Sequence, residues 1–180
     1  LVHYPRNTSD LKSDGKFIMN IYKDSEGDIW IGGIQDVICY LTKEKRFHTY
    51  GAQPMRTFME FSPGKMLLAC TYSVLLLDKE TGQISFLPEC LAQDILVMED
   101  DIWVATSGDG LLHYNYTNRE THKITVESGL PSNYVNSVMY DNGYLWLGTE
   151  NGLCRYNPAD STVHAYYSTL ALSSASFNVN

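Results

Sequence analysis

Five histidines, an acidic Glu99-Asp100-Asp101 run and four cysteines are the residues of this chain whose types suit chemistry. Histidine titrates near neutral pH and serves as acid, base or metal ligand. Paired carboxylates carry glycoside hydrolysis, one protonating the leaving oxygen while the other attacks or activates water. The placement of these residues argues against both. His3, His48 and His164 take the same place in three similar segments, residues 1–4, 47–50 and 163–166. A residue repeated at one register serves the repeat, whereas an active site needs different residues converging on one point. His113 and His122 read as members of a third and a fourth strand of one unit. The Glu99-Asp100-Asp101 run lies at a tight turn, where acids are ordinarily solvated. There is no His-Glu-x-x-His pair and no phosphate-binding glycine loop. Cys39, Cys70, Cys90 and Cys154 include no Cys-x-x-Cys pair, so a zinc site is not expected. Cys39, Cys70 and Cys154 fall in apolar strands and read as buried thiols, with pairing left open. No catalytic residue, cofactor or metal-ligand set is assigned.

The elements that position these residues repeat. Asp141-Asn-Gly leads into Tyr-Leu-Trp-Leu-Gly-Thr149, then through Glu150-Asn-Gly into Leu-Cys-Arg-Tyr156. Asn-Gly accepts positive φ cheaply and marks a hairpin. The same unit recurs around Trp30 and Trp103, and a worn copy carries Leu67 in place of the indole. The anchors Trp30, Leu67, Trp103 and Trp146 are separated by 37, 36 and 43 residues. A period near forty with about four short strands per unit marks a β-propeller blade. The expected fold is all-β: about four four-stranded antiparallel sheets forming a partial, open propeller fragment. Residues 1–180 read as one such fragment. Residues 1–16 end a preceding blade and link it onward, 17–50, 55–87, 91–126 and 129–167 are blades, and 168–180 are a tail or the start of another blade.

Each second strand pairs its anchor with a small residue on one face: Trp30 with Gly32, Leu67 with Ala69, Trp103 with Ala105, Trp146 with Gly148. The opposite face is also apolar, with Ile29 and Ile31, Met66 and Leu68, Ile102 and Val104, Leu145 and Leu147. A strand apolar on both faces is covered on both, as in stacked blades. The four anchors are therefore expected to be wedged between sheets, with structural roles.

Net charge is −8 with a pI near 5.0, and the 13 basic residues are scattered. Nucleic acid is not an expected partner, since phosphate binding needs clustered Lys and Arg. No apolar run of about 18 residues exists, so membrane contact is expected only through segments flanking this chain. The chain starts with Leu1 in mid-pattern and reads as a piece of a longer protein.

Trp30-Ile-Gly-Gly, Trp103-Val-Ala-Thr and Trp146-Leu-Gly-Thr-Glu-Asn-Gly-Leu-Cys-Arg-Tyr resemble the repeat of two-component regulator propellers. Gly129-Leu-Pro-Ser-Asn133 is similar to that family's link between blades, and Ser176-Phe-Asn178 to its closing phrase. The resemblance covers nearly the whole chain and is weakest in the second unit. It implies the periplasmic sensor part of a Bacteroidetes hybrid two-component system, acting in signal transduction and transcription regulation. The implied ligand is an oligosaccharide from glycan breakdown. The chain itself is then not an enzyme, and a histidine kinase lies elsewhere in the protein. The alternatives are a propeller-borne glycan hydrolase or lyase, and a scaffold that binds nothing.

In a propeller the links between blades and the turns between second and third strands share one face near the channel. Those segments hold Arg6, Gln35, Arg56, Tyr72, Asp109, Asn133, Tyr134 and Glu150, which vary from unit to unit. Variation on a constant frame suits specific recognition. A flat ring with planar amide or carboxylate partners suits a sugar, and Tyr134 beside Asn133 offers both. Four blades are few for a closed ring, so self-association through open blade faces is also expected.

Overall fold

The computed structural model describes residues 18–33, 36–51 and 54–167. The strand expected at 1–4, the candidates Arg6 and Gln35, and the 168–180 segment lie outside the described residues. Four antiparallel sheets form, each of four strands in sequence order. Blade 1 holds β1 (Ile18–Lys23), β2 (Ile29–Gly33), β3 (Asp36–Leu41) and β4 (Arg46–Gly51). Blade 2 holds β5 (Met55–Ser62), β6 (Lys65–Cys70), β7 (Ser73–Asp78) and β8 (Ile84–Glu89). Blade 3 holds β9 (Ala92–Met98), β10 (Asp101–Thr106), β11 (Leu111–Asn115) and β12 (Thr121–Ile124). After a 3₁₀ turn at Val126–Ser128, blade 4 holds β13 (Val135–Asp141), β14 (Tyr144–Thr149), β15 (Gly152–Asn157) and β16 (Thr162–Tyr167). The sheets are β-propeller blades. They fall into two compact units, Leu1–Leu87 and Pro88–Asn180.

Local chemistry sets the hairpins. Asn142 and Gly143 both take positive φ, 47° and 87°, as a tight turn between β13 and β14 requires. In the first unit, blades 1 and 2 share one core. Trp30, Val37, Cys39 and Tyr50 of blade 1 meet Met55, Phe58, Met66, Leu68, Leu75 and Leu77 of blade 2. Trp30 is fully buried. At about 25 cal/mol per Å², burying some 200 Å² of indole contributes on the order of 5 kcal/mol before entropy is subtracted. The small residue beside the ring is required: a Cβ on Gly32 would lie 2.4 Å from Cε1 of Phe58. The second unit repeats the arrangement. Trp103, Ala105 and Leu111 of blade 3 meet Val135, Val138, Leu145, Leu147, Cys154 and Tyr156 of blade 4.

Cross-strand rows carry the histidines. Trp30 stands in line with Cys39 and His48, Trp103 with His113 and His122, and Trp146 with Arg155 and His164. The ring of Tyr50 stacks on Trp30 at 5.4 Å, and His48 packs on Tyr50 at 4.4 Å. Blade 4 copies this, with Tyr166 at 5.9 Å from Trp146 and His164 at 4.6 Å from Tyr166. In blade 3 His113 takes the stacking place itself, 4.1 Å from Trp103. These histidines extend the anchor's aromatic stack.

The anchors are not equal. Trp30, Leu67 and Trp103 are buried, but Trp146 is only half-buried. All four inner strands also carry a β-bulge at one place. The registers skip Met19, Arg56, Gln93 and Asn136, immediately before Asn20, Thr57, Asp94 and Ser137. A bulge twists a strand and redirects a side chain.

Candidate functional site

In the second unit the turn between β10 and β11, the link 129–134 and the turn between β14 and β15 are tied into one frame. The carbonyl oxygen of Asn133 accepts from the amides of Gly108 (3.0 Å) and Gly110 (2.9 Å). Ser107 and Tyr134 form an isolated antiparallel bridge, and the Glu150 amide donates to the Tyr134 carbonyl at 3.1 Å. Asn151 Nδ2 donates to the Pro131 carbonyl at 3.1 Å. Two buried threonines close the turns alike, Thr106 Oγ1 donating to Gly110 O and Thr149 Oγ1 to Gly152 O, each at 2.7 Å. Gly110 has φ 78°, and a Cβ there would lie 2.1 Å from the Ile124 carbonyl oxygen. Thr125 caps the 3₁₀ turn, and Gly129 ends it in the left-handed region. Backbone bonds thus hold the loops, which leaves exposed side chains to vary without loss of the frame.

Four of the candidate residues, Asp109, Asn133, Tyr134 and Glu150, are brought onto this frame. Tyr134 is 48% exposed and Glu150 is exposed. Asp109 pairs with Lys123 at 2.7 Å, which makes it a charge partner. Asn133 Oδ1 accepts from the Val126 amide at 2.9 Å, so this side chain also fastens the link. Sequence reasoning passed over Gln93, the bulge residue of β9, whose Nε2 donates to Ser107 Oγ at 2.7 Å. Nothing in the sequence marked it, since the one-residue slip of the inner strands shows only in the pairing. Asp94, next along, accepts from the amides of Val138 (3.1 Å) and Ile95 (3.0 Å). Burial holds its carboxyl above the usual range against these two bonds. In the first unit Arg56 is the exposed bulge residue of β5, and Tyr72 is 70% exposed in the turn between β6 and β7.

The acidic run near β10 serves the sheet. Asp101 Oδ1 lies 2.8 Å from both His113 Nε2 and Asn115 Nδ2, and Asp100 accepts from Thr117 Oγ1 at 2.6 Å. Burial alone would raise the Asp101 carboxyl, but Asn115 and His113 hold it below its ordinary value. All four cysteines are buried free thiols. Burial pushes Cys39 and Cys154 up to about 12 and Cys90 to about 11, far from a thiolate nucleophile at neutral pH.

At the other strand ends of the first unit lies a cluster that the sequence did not disclose. Carboxylate oxygens of Asp24, Glu26 and Asp28 lie within 4.8 Å of one another, as metal ligands would. The Lys79 ammonium sits among them, 2.9 Å from Asp24, 2.6 Å from Glu26 and 2.6 Å from Asp28. Asp24 also accepts from Trp30 Nε1 at 2.8 Å, and Asp28 from the amide and hydroxyl of Thr42 at 2.7 and 2.8 Å. Burial would raise both aspartates, but Lys79 with these donors holds them below the ordinary carboxylate range. Lys79 is correspondingly pushed up, its carboxylates outweighing burial. The Tyr50 hydroxyl donates to the Lys79 carbonyl at 2.9 Å. A cleft of about 560 Å³ beside this cluster is lined by Glu44, Arg46, His48, Tyr50 and Lys79, among others. Glu44 and Arg46 pair with each other there.

These features define a blade-built loop frame with its charged residues largely paired. Residues 12–35 and 129–151 match the family described as two component regulator propeller, and the chain carries repeats of that family. A structure from B. thetaiotaomicron, described as the extracellular domain of a hybrid two component system, superposes with a TM-score of 0.78 at 18% identity, over 92% of this chain and 23% of that one. Another such domain from the same organism gives 0.72 at 15%, over 85% and 25%. The β-propeller domain of Swd1 from Myceliophteria thermophila gives 0.69 at 11%, over 87% and 56%. At these identities the likeness is one of fold. The chain spans about a quarter of the length of the two bacterial domains. No curated protein matches it. Among the described residues no helix is long and apolar enough to cross a membrane.

Proposed function

We propose that this chain is part of the periplasmic ligand-sensing region of a hybrid two-component regulator, and that it recognises an oligosaccharide without transforming it. One observation carries the reading: family repeats support a loop frame closed by its own backbone, from which Tyr134 and Glu150 project. A sugar presents apolar C–H faces and many hydroxyls. The Tyr134 ring suits the former, and Glu150, Gln93 and the Asn133 amide suit the latter. Arg56 and Tyr72 give the first unit a corresponding exposed pair. Arg6 and Gln35 belong to the same proposed set. A kinase elsewhere in the longer protein would read out occupancy and alter transcription.

Calorimetric titration of the chain with a panel of glycan fragments tests this. At least one fragment binds, and Tyr134→Ala weakens it by about tenfold or more, roughly 1.4 kcal/mol, with the melting temperature unchanged. The reading fails if no fragment binds, or if a bound fragment is turned over.

A further inference from the structure

The charge of the chain is not shared between its units. Residues 88–180 hold 11 acidic and three basic residues, and residues 1–87 hold ten of each, so the whole net charge of −8 belongs to the second unit. The three cations of that unit are all engaged. Arg119 Nη1 donates to the Tyr114 hydroxyl at 3.0 Å, and its guanidinium lies 4.4 Å from the centre of the Tyr116 ring. Arg155 lies 4.7 Å from the centre of the Tyr144 ring. Both contacts belong to the strand ends away from the loop frame, since Arg119 lies in the turn between β11 and β12 and Tyr144 starts β14. Lys123 lies beside the frame, and Asp109 takes its ammonium at 2.7 Å.

The carboxylates of the frame are left over. Glu127 follows Val126, whose amide Asn133 holds, and Glu150 donates its amide to Tyr134. Both side chains are exposed, and neither has an ion-pair partner among the described residues. Asp94 is partly buried beside Gln93, and its partners are the amides of Val138 and Ile95. No ammonium or guanidinium neutralises it among the described residues. A partly buried charge without a counter-ion carries a desolvation cost that a cation placed beside it offsets. The bulge place shows the contrast between the units. Blade 2 carries the exposed cation Arg56 there, and blade 3 carries the uncharged amide of Gln93.

We propose that the loop frame of the second unit selects its oligosaccharide by charge, taking amine-bearing sugars first and neutral sugars next, and excluding those that bear carboxylate or sulfate. This rests on the reading that the frame recognises an oligosaccharide, and adds the class. An anionic substituent meets like charges on the frame, and like-charge juxtaposition suppresses a wrong partner. Lys123 serves such a substituent only by giving up Asp109. A protonated amine meets Glu150 and Asp94 without displacing any ion pair.

Calorimetric titration with sets of glycan fragments tests this, each set pairing a neutral fragment with its amine-bearing and its uronate-bearing counterpart. At physiological ionic strength charges farther than about 8 Å are largely screened, so the frame's own carboxylates decide the order. The uronate-bearing fragment binds about tenfold or more weakly than the neutral one, and the amine-bearing one about threefold or more tightly. Glu150→Gln removes much of the amine's advantage, whereas Glu120→Gln, in the turn between β11 and β12, leaves it unchanged. Gln93→Arg places a cation where blade 2 carries Arg56, and brings the uronate-bearing fragment to within about threefold of the neutral one. A uronate-bearing fragment that binds the wild-type chain as tightly as its neutral counterpart overturns the charge selection and leaves oligosaccharide recognition standing. So does a Gln93→Arg chain that binds neutral fragments as before and still rejects the uronate. Equal effects of Glu120→Gln and Glu150→Gln overturn it as well, because the field of the whole unit then selects and not the frame. Binding of no fragment at all fails the recognition itself, and the selection falls with it.

Discussion

Lys79→Met lowers the stability of the chain by about 3–5 kcal/mol at neutral pH, the loss expected when one partner of a buried ion pair is removed. The size follows from burial. The side chains of Lys79, Asp24 and Asp28 are 10%, 2% and 11% exposed, so the two aspartates left behind are charged, desolvated and close together. Glu26, 46% exposed, adds little. The acid dependence has a definite sign. Asp24 and Asp28 have lowered folded values, so their contribution is present above the ordinary carboxylate value and is lost as pH falls through the folded one. In Lys79→Met that support is gone, and protonating the orphaned carboxylates relieves the variant. Its deficit is therefore largest at neutral pH and shrinks on acidification. Urea titrations of both proteins from pH 7 to pH 4 measure this. A deficit below about 1 kcal/mol at pH 7, or one that grows in acid, contradicts the cage.

Trp30→Ala has an effect of similar size, about 3–5 kcal/mol, whereas Trp146→Ala removes only about 1 kcal/mol in the monomer. The two indoles hold the same register, but Trp30 is fully buried between two sheets and Trp146 is half-buried. Trp30 also donates to Asp24, so its removal takes one bond from the Lys79 cage. Trp30→Phe keeps a ring in the seam and loses that bond, and falls between the two at about 1–3 kcal/mol. Chemical denaturation of the three variants gives the order. Equal losses at positions 30 and 146 would mean that the seam is not what holds the ring.

The features legible in the sequence are local ones. The Trp-x-Gly pairs and the Asn142-Gly143 turn announce themselves within a few residues, because strand alternation and positive φ are properties of short segments. The shared place of His48 and His164 in the outer strands was legible from the repeat, but their rows with the anchors were not. The cage was not: Lys79 is 55 residues from Asp24, and charges at turns ordinarily read as solvated. The bulges left no compositional mark, since Met19, Arg56, Gln93 and Asn136 share no chemistry. Arg56 was therefore singled out while Gln93, at the equivalent place, was not. The half-burial of Trp146 was not legible, because burial of a sheet face depends on which sheet lies on it, and one strand's pattern cannot say. The loop frame was half legible. Topology names the loops, but the use of the Asn133 amide and Asp109 carboxylate to fasten the link and to pair with Lys123 appears only in three dimensions.

The central claim, that recognition sits on the loop frame of the second unit, is tested most directly by hydrogen exchange with and without a bound glycan fragment. Amides at 107–110, 132–136 and 149–152 gain protection together on binding, and the cage around Lys79 is unchanged. Protection confined to residues 24–28 and 79–82, with the loop frame unaffected, contradicts the account.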